Sequence, residues 1–213
     1  MYNFNKIKNC KDARLLPGEE MIWLTGTEES FDTIRKKYIW LNENSKYGST
    51  DHCDQTIRHL LQEKAPLINS CLDIGCGAGH FSSWIIDNLC KEVYGLDFAI
   101  TGLASIEEKG VSFLKANAHE IPLPDKSIDL ITSFDFLEHV HPEYLEKTIK
   151  EMQRVCRRFM IHKVENRPSK FMHKEVGQLH LIQESEEWWK KYIFEPISKQ
   201  TIRIEKKVYL LEI

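Results

Sequence analysis

One stretch combines a short apolar segment, three alternate glycines and the start of a helical pattern. Residues 71–81 read CLDIGCGAGHF. Gly75, Gly77 and Gly79 permit a sharp turn at the end of the apolar segment and let a ligand approach the main chain without meeting a Cβ atom. The helix that follows begins with unpaired backbone N–H groups that face the same space. The stretch therefore predicts a strand, a ligand-binding loop and a helix.

The spacing of these glycines distinguishes two kinds of cofactor. A dinucleotide site requires Gly-x-Gly-x-x-Gly, but the position of the third glycine is occupied by His80. The observed pattern is Gly-x-Gly-x-Gly after an acidic strand residue, and it closely resembles motif I of the class I S-adenosylmethionine (SAM)-dependent methyltransferases. In that family the loop holds the methionine part of SAM, and S-adenosylhomocysteine is the product. The resemblance implies that the cofactor site includes Asp73, Gly75, Gly77 and Gly79.

The composition suits one α/β domain with an extension in a chain of 213 residues. Lys and Arg number 29 against 32 Asp and Glu, so no overall basic field indicates a nucleic-acid partner. No apolar window approaches the roughly 18 residues of a membrane helix, and the N-terminus lacks the pattern of a signal peptide. We therefore expect a cytoplasmic protein without a membrane partner. The six cysteines include no Cys-x-x-Cys pair, which favours free thiols over disulfides or zinc ligands.

Strand-like and helix-like segments alternate from residue 71 onward, which predicts a parallel sheet with crossover helices. The expected strands are 71–75, 92–96, 111–116, 127–134 and 158–164, and the expected terminal hairpin pairs 201–204 with 207–211. Helices are expected after the glycine loop, over 143–156 and after Ser185. With the resemblance, this pattern predicts a Rossmann-like α/β fold, with a seven-stranded, mostly parallel sheet and an antiparallel C-terminal hairpin.

The N-terminal part reads as a helical extension. Residues 1–29 lack a sustained period, whereas Ser30 and Asp51 are candidate caps of two helices. We expect residues 1–66 to form a helical lid or extension and residues 67–213 to form the SAM-binding domain. In many small methyltransferases such helices cover cofactor and acceptor, and packing against the edge of the sheet is the alternative.

Further cofactor contacts are expected at the ends of the next strands. Asp97 ends strand two about 20 residues past the glycine loop, where an acid accepts hydrogen bonds from a ribose diol. After strand three, Asn117 and Ala118 match the family positions that contact the adenine edge, although many relatives carry Asp where this chain has Asn117. The resemblance assigns three more residues to the cofactor site, namely Cys76, Phe98 and Phe134.

The residues after strand four, FDFLEHVHP at 134–142, place three potential ligands beside the expected cofactor sulfur. In this superfamily Leu-Glu-His-Val lines the mouth of the acceptor site, which implies a catalytic role for His139, as a general base or an acceptor contact. Glu138 and His180 are further catalytic candidates. We expect no metal ion.

A metal-assisted site is the alternative interpretation of the same stretch. The acid-x-x-Glu-His pattern resembles a metal motif of certain O-methyltransferases, although those carry Glu where this chain has Asp135. In this interpretation Asp135, Glu138 and His139 hold Mg²⁺, and His173 and His180 complete the site. The ion would lower the pKa of a bound hydroxyl and orient it for attack.

The resemblance implies an enzyme that transfers a methyl group from SAM to an oxygen or nitrogen of a small-molecule acceptor, such as a secondary metabolite or a sugar. An RNA methyltransferase acting on a 2′-oxygen or a base is the second hypothesis, prompted by the metal-like motif and by the basic clusters at 35–37 and 157–158. The overall acidic balance opposes it. A non-catalytic SAM-binding partner protein is the third hypothesis.

Overall fold

The computed structural model of the protein describes residues 30–44, 53–99, 109–169 and 178–213. Its strands are β1 Ser70–Ile74, β2 Glu92–Asp97, β3 Ser112–Lys115, β4 Ile128–Phe134, β5 Cys156–Lys163, β6 Gln200–Glu205 and β7 Val208–Glu212. They form a seven-stranded sheet in the order β3-β2-β1-β4-β5-β7-β6. Its longer helices are α1 Phe31–Asn44, α2 Gln55–Lys64, α3 His80–Asn88 and α4 Pro142–Val155. A short helix, α5 Glu186–Trp188, continues as a π-helix over Trp189–Phe194.

The predicted α/β fold is confirmed, and β1 lies at its centre. β1 pairs in parallel with β2 on one side and with β4 on the other. The chain passes from β1 to β2 and later returns to the opposite side of β1, so the order of strands reverses there. In open α/β sheets such a reversal forms a crevice at the carboxyl ends of the strands, where ligands bind.

The predicted C-terminal hairpin is also confirmed. β7 runs antiparallel to both β5 and β6. β6 is one residue longer than predicted at each end, and β7 is shifted by one residue. The turn therefore lies at residues 206–207, where Lys207 has a positive φ of 67°. β7 thereby separates β6 from the parallel part of the sheet, which covers the edge of β5.

The core has two halves, one on each face of the sheet. Successive residues of a strand point to opposite faces, so Leu72 joins one buried cluster and Cys71 the other. The same alternation places Ile131 and Leu130 of β4 in different clusters. Because both faces are covered, every residue of β1 and β4 is buried.

Helix caps fix several of the observed boundaries. Ser30 accepts a hydrogen bond from the backbone N–H three residues on at 3.3 Å, as predicted. α2 is capped by Asp54 in the same way at 3.0 Å, and the predicted cap Asp51 lies outside the described residues. α4 begins at Pro142, one residue before the predicted start, because proline suits the first helical position. It ends before Cys156, which already belongs to β5.

Other sequence-based expectations concern thiols and membrane helices. The five cysteines in the described ranges are free thiols, as expected, and Cys10 lies outside those ranges. Among the helices that the structure describes, none combines the length and the apolar character required to cross a bilayer.

Glu184, immediately before the Ser185 cap of α5, is a buried acid with an exposure of 6%. Its Oε1 atom has no hydrogen-bond partner among the described residues. Burial raises the pKa of this carboxyl from 4.5 to about 7. The native protein therefore holds Glu184 in its neutral form at slightly acidic pH.

We expect Glu184→Gln to change how stability depends on pH. In the unfolded chain the carboxyl ionises near pH 4.5, whereas in the native protein it stays neutral up to about pH 7. Its contribution to stability is therefore complete below pH 4.5 and is lost as the pH rises through 7. The glutamine never ionises, so the variant should gain up to about 3 kcal/mol over the wild type from about pH 5 to about pH 8. Urea unfolding at both pH values measures this gain, and parallel pH profiles would contradict it.

Candidate active site

A cavity of about 520 Å³ lies at the carboxyl ends of β1, β2 and β4, where the strand order reverses. This volume is typical of a site for a small molecule or cofactor. One end of the cavity is lined by residues expected to bind the cofactor, namely Gly75, Cys76, Gly77, Asp97, Phe98, Asn117, Ala118 and Phe134. The other end is lined by Phe31, Tyr38, His119, His139, His141, Tyr144 and His180.

The glycine loop follows β1 and turns through three left-handed residues. Gly75, Gly77 and Gly79 have φ values of 73°, 52° and 74°, a region that other residues adopt at a cost. The Gly75 N–H donates to the Leu96 carbonyl at 2.8 Å, which joins the loop to the end of β2. A Cβ atom at Gly75 would lie 2.5 Å from Cδ2 of Phe136, so only glycine fits this position.

Asp73 stabilises the strand that leads into the loop through hydrogen bonds inside the protein, and it does not line the cavity. It is buried within β1, and its Oδ2 accepts a hydrogen bond from the Ser82 hydroxyl at 2.7 Å. Its Oδ1 accepts another from the Thr132 hydroxyl at 3.0 Å. The carboxylate thus connects β1 to α3 and β4. Gly79 is likewise absent from the lining of the cavity and forms the N-cap of α3.

Asp97 ends β2 and faces the cavity. Its Oδ2 accepts the Gly77 N–H at 3.2 Å, and its Oδ1 accepts the Ala99 N–H at 2.8 Å. Burial raises the pKa of this carboxyl above its ordinary value, while the two backbone hydrogen bonds oppose the rise. The two N–H groups hold the side chain in one orientation, and each oxygen keeps a further lone pair for a ligand.

The α1 helix forms a wall of the cavity. Phe31 packs at the edge of His119 with 5.2 Å between ring centroids, and lies 4.9 Å from the Tyr144 ring. His119 and Tyr144 stack at 4.2 Å, and Tyr38 packs edge-on against Phe98 at 5.8 Å. Sequence reasoning missed His119 and Tyr144 as site residues. Their signal was positional, since His119 follows Ala118 directly and Tyr144 lies in the first turn of α4.

His139 lies where α1 meets the end of β4. Its Nδ1 is 3.0 Å from the Leu179 carbonyl and 2.7 Å from the Tyr38 hydroxyl. Because a carbonyl oxygen only accepts hydrogen bonds, this geometry assigns the proton to Nδ1. The Nε2 atom is then the basic nitrogen of the ring.

Glu138 and His180 lie beside His139. Glu138 is completely buried, which raises the pKa of its carboxyl well above the usual range. One carboxylate oxygen accepts the Glu165 N–H at 2.9 Å. The His180 ring packs edge-on against His139 with 4.7 Å between centroids. The structure thus brings together the three side chains expected to be catalytic.

The alternative metal ligand set is only partly brought together. Glu138, His139 and His180 each offer a ligating atom, and these atoms lie within 4.8 Å of one another. Asp135 is not a member of this group among the described residues, because its carboxylate pairs with Lys163 at 3.4 Å. His180, which the sequence also proposed for this site, is a member of the group. The other predicted ligand, His173, lies outside the described residues.

Comparison with known proteins finds a similar domain and similar relatives. The family described as a methyltransferase domain matches residues 72–159. A probable SAM-dependent methyltransferase of Mycobacterium tuberculosis is 31% identical over 88 residues, which cover 40% of this chain and 31% of that protein. The demethylmenaquinone methyltransferase of Bacillus licheniformis is 31% identical over 134 residues, which cover 60% of this chain and 56% of that protein. Residues 72–159 are therefore similar to the methyltransferase domain, and these relatives resemble the class I SAM-dependent methyltransferases that the glycine loop indicates.

The fold of this chain also has solved counterparts. The Burkholderia thailandensis 1,6-didemethyltoxoflavin-N1-methyltransferase superposes with a TM-score of 0.61 at 15% identity, covering 89% of this chain and 92% of that one. That crystal structure contains S-adenosylhomocysteine. The family's cofactor is SAM, as the glycine spacing predicts. The matched region spans 31% of the mycobacterial relative and 56% of the Bacillus one, less than two thirds of either protein.

The glycine loop provides a test of the cavity wall. We expect Gly75→Ala to lower the free energy of unfolding by about 1 to 3 kcal/mol more than Gly110→Ala. Both positions have a positive φ, but a Cβ at Gly110 meets only Ile86, at 3.4 Å, whereas a Cβ at Gly75 overlaps the Phe136 ring. Denaturant unfolding of both variants measures the difference. Equal losses of unfolding free energy in the two variants would contradict this expectation, because they would mean that the Phe136 ring moves aside without cost.

Proposed function

We propose that this methyltransferase transfers the methyl group of SAM to an oxygen or nitrogen of a small-molecule acceptor. The observation that carries the proposal is a single cavity lined both by Gly75, Gly77 and Asp97, which we take as its cofactor end, and by Tyr38 and His139, which we take as its acceptor end. A methyl donor bound at the first end directs its reactive carbon toward an acceptor at the second. Methyl transfer requires this alignment because donor and acceptor must lie in line.

The residues at the first end suit SAM. The Asp97 carboxylate, oriented by two backbone N–H groups, is placed to accept hydrogen bonds from a ribose diol. Asn117 and Ala118 line the same end and would contact the adenine edge. The glycines leave the main chain open to the methionine part. We assign Asp73 a positioning role, because both its oxygens bind hydroxyl groups of neighbouring elements.

The acceptor end favours a planar molecule without negative charge. Ring faces and edges of Phe31, His119 and Tyr144 surround it, and such surfaces bind flat apolar or aromatic ligands. No lysine or arginine is present among the described residues that line the cavity. An RNA acceptor would need cations for its phosphates. One relative is named for demethylmenaquinone, a small molecule, and neither the comparisons nor the described residues favour an RNA acceptor or a non-catalytic role.

His139, at the acceptor end, supplies the base that a hydroxyl acceptor needs. The sulfonium methyl of SAM is already electrophilic, so an amine acceptor needs only an unprotonated lone pair and correct alignment. A hydroxyl acceptor must also lose its proton, and Nε2 of His139 is the group placed to accept it. Tyr38 and the Leu179 carbonyl hold the ring through Nδ1. Because Tyr38 belongs to α1, we infer that this helix acts as a lid that completes the acceptor site.

Transfer of labelled methyl groups from SAM tests the proposal. The acceptor panel contains phenols, quinols, aromatic amines and RNA, and the proteins are the wild type, His139→Gln and the matched control His59→Gln, which replaces an exposed histidine of α2. We expect transfer to a small aromatic acceptor. For hydroxyl acceptors His139→Gln should lower kcat by about 10²- to 10⁴-fold, because the base is lost.

The control variant and the affinity for S-adenosylhomocysteine show whether a lower rate of His139→Gln comes from the lost base or from a wider effect of the substitution. His59→Gln should keep the wild-type rate, and both variants should bind S-adenosylhomocysteine as the wild type does. Transfer to RNA alone would contradict the proposed acceptor class. An unchanged kcat of His139→Gln with a hydroxyl acceptor would contradict the role of His139.

A further inference from the structure

Three side chains at the acceptor end have the geometry of a metal-binding group. One ligating atom each from Glu138, His139 and His180 lies within 4.8 Å of the other two. Three atoms this close share a common point within about 2.8 Å, and small side-chain rotations would shorten this to the roughly 2.1 Å of a metal–ligand bond. Two of these residues, His139 and His180, also line the cavity.

The backbone holds the other polar atom of each side chain. Nδ1 of His139 contacts the Leu179 carbonyl at 3.0 Å, and Nδ1 of His180 contacts the Arg167 carbonyl. Both rings therefore carry the proton on Nδ1 and have Nε2 as the unprotonated nitrogen. Metal-ligating histidines almost always donate their second N–H to a carbonyl or carboxylate in this way. The two rings are thus in the tautomer that metal binding requires.

The acid of the group provides a second, independent observation. Glu138 is fully buried, and one of its oxygens accepts the Glu165 N–H at 2.9 Å. The other oxygen, Oε2, has no hydrogen-bond partner among the residues that the structure describes. A buried polar atom without a partner is costly, and a ligand bound there would remove that cost.

We propose that Glu138, His139 and His180 bind a divalent transition-metal ion, such as Mn²⁺, Fe²⁺, Co²⁺ or Zn²⁺. Two imidazoles and one carboxylate form the ligand set that suits these ions and leaves further coordination positions open. Mg²⁺ prefers oxygen ligands and retains its waters, so we expect it to bind far more weakly.

Metal binding itself does not depend on the proposed function. Only the role of the bound ion rests on that function, because the ion would lie at the acceptor end of the cavity. A metal ion and a proton compete for the Nε2 lone pair of His139. In the metal-bound protein this nitrogen is a ligand, and the ion itself lowers the pKa of an acceptor hydroxyl. SAM binding at the other end of the cavity does not depend on the ion.

Metal binding can be measured without any acceptor. Equilibrium dialysis of the chelator-treated full chain against Mn²⁺, Zn²⁺ or Mg²⁺ gives stoichiometry and affinity, and the paramagnetic resonance signal of Mn²⁺ gives an independent readout. We compare the wild type with Glu138→Gln, His180→Gln and the control His80→Gln, which replaces an exposed histidine at the start of α3. Circular dichroism and thermal unfolding verify that each variant is folded.

We expect one Mn²⁺ or Zn²⁺ ion per chain in the wild type and in the control. Each of the other two variants should bind about 10- to 100-fold more weakly, because each loses one ligand. The proposal is overturned if the wild type binds neither ion, if folded Glu138→Gln and His180→Gln bind as the wild type does, or if Mg²⁺ binds as tightly. Binding of S-adenosylhomocysteine to the metal-free protein, measured on the same samples, distinguishes failure of the metal site from failure of the proposed function.

Discussion

Two hydrogen bonds between the glycine loop and the end of β2 determine the shape of the cavity. The Gly75 N–H donates to the Leu96 carbonyl, and the Gly77 N–H donates to Asp97. These bonds turn the chain away from the sheet directly after β1, so that the space above the strands stays open. The buried hydrogen bonds of Asp73 hold the same loop from below. The loop is therefore fixed on two sides before any ligand binds, which reduces the entropic cost of binding.

The second organising contact connects α1 to the residues after β4. Tyr38, His139 and the Leu179 carbonyl share one small network, and the aromatic rings of α1 pack over the first turn of α4. Residues far apart in the sequence thus form the acceptor end together. In the proposed function, acceptor specificity would depend on how α1 is placed on the sheet, whereas cofactor binding would depend on β1 and β2. This separation allows related chains to keep one cofactor and change acceptors.

The sequence predicted the fold because its signals were local. Alternating strand and helix patterns and the glycine loop each lie within a few residues, and the ends of the parallel strands bring Asp97 and Asn117 to the same crevice. The indirect role of Asp73 was not predictable, because it depends on hydroxyl groups in α3 and β4. The grouping of His180 with Glu138 and His139 was proposed from the sequence as part of the alternative ligand set, whereas the absence of Asp135 from that group was not. That absence depends on the direction of the Asp135 side chain, which faces Lys163.

The central claim, that this crevice binds SAM through Asp97, is tested most directly by calorimetry. Titrations of S-adenosylhomocysteine compare the wild type with Asp97→Ala and with Asp87→Ala, which removes an exposed acid of α3 that pairs with Lys109. We expect Asp97→Ala to bind about 10- to 100-fold more weakly, because charged hydrogen bonds to the ribose are lost, and Asp87→Ala to bind as the wild type does. Unchanged affinity of folded Asp97→Ala, or binding of NAD in place of S-adenosylhomocysteine, would contradict the account.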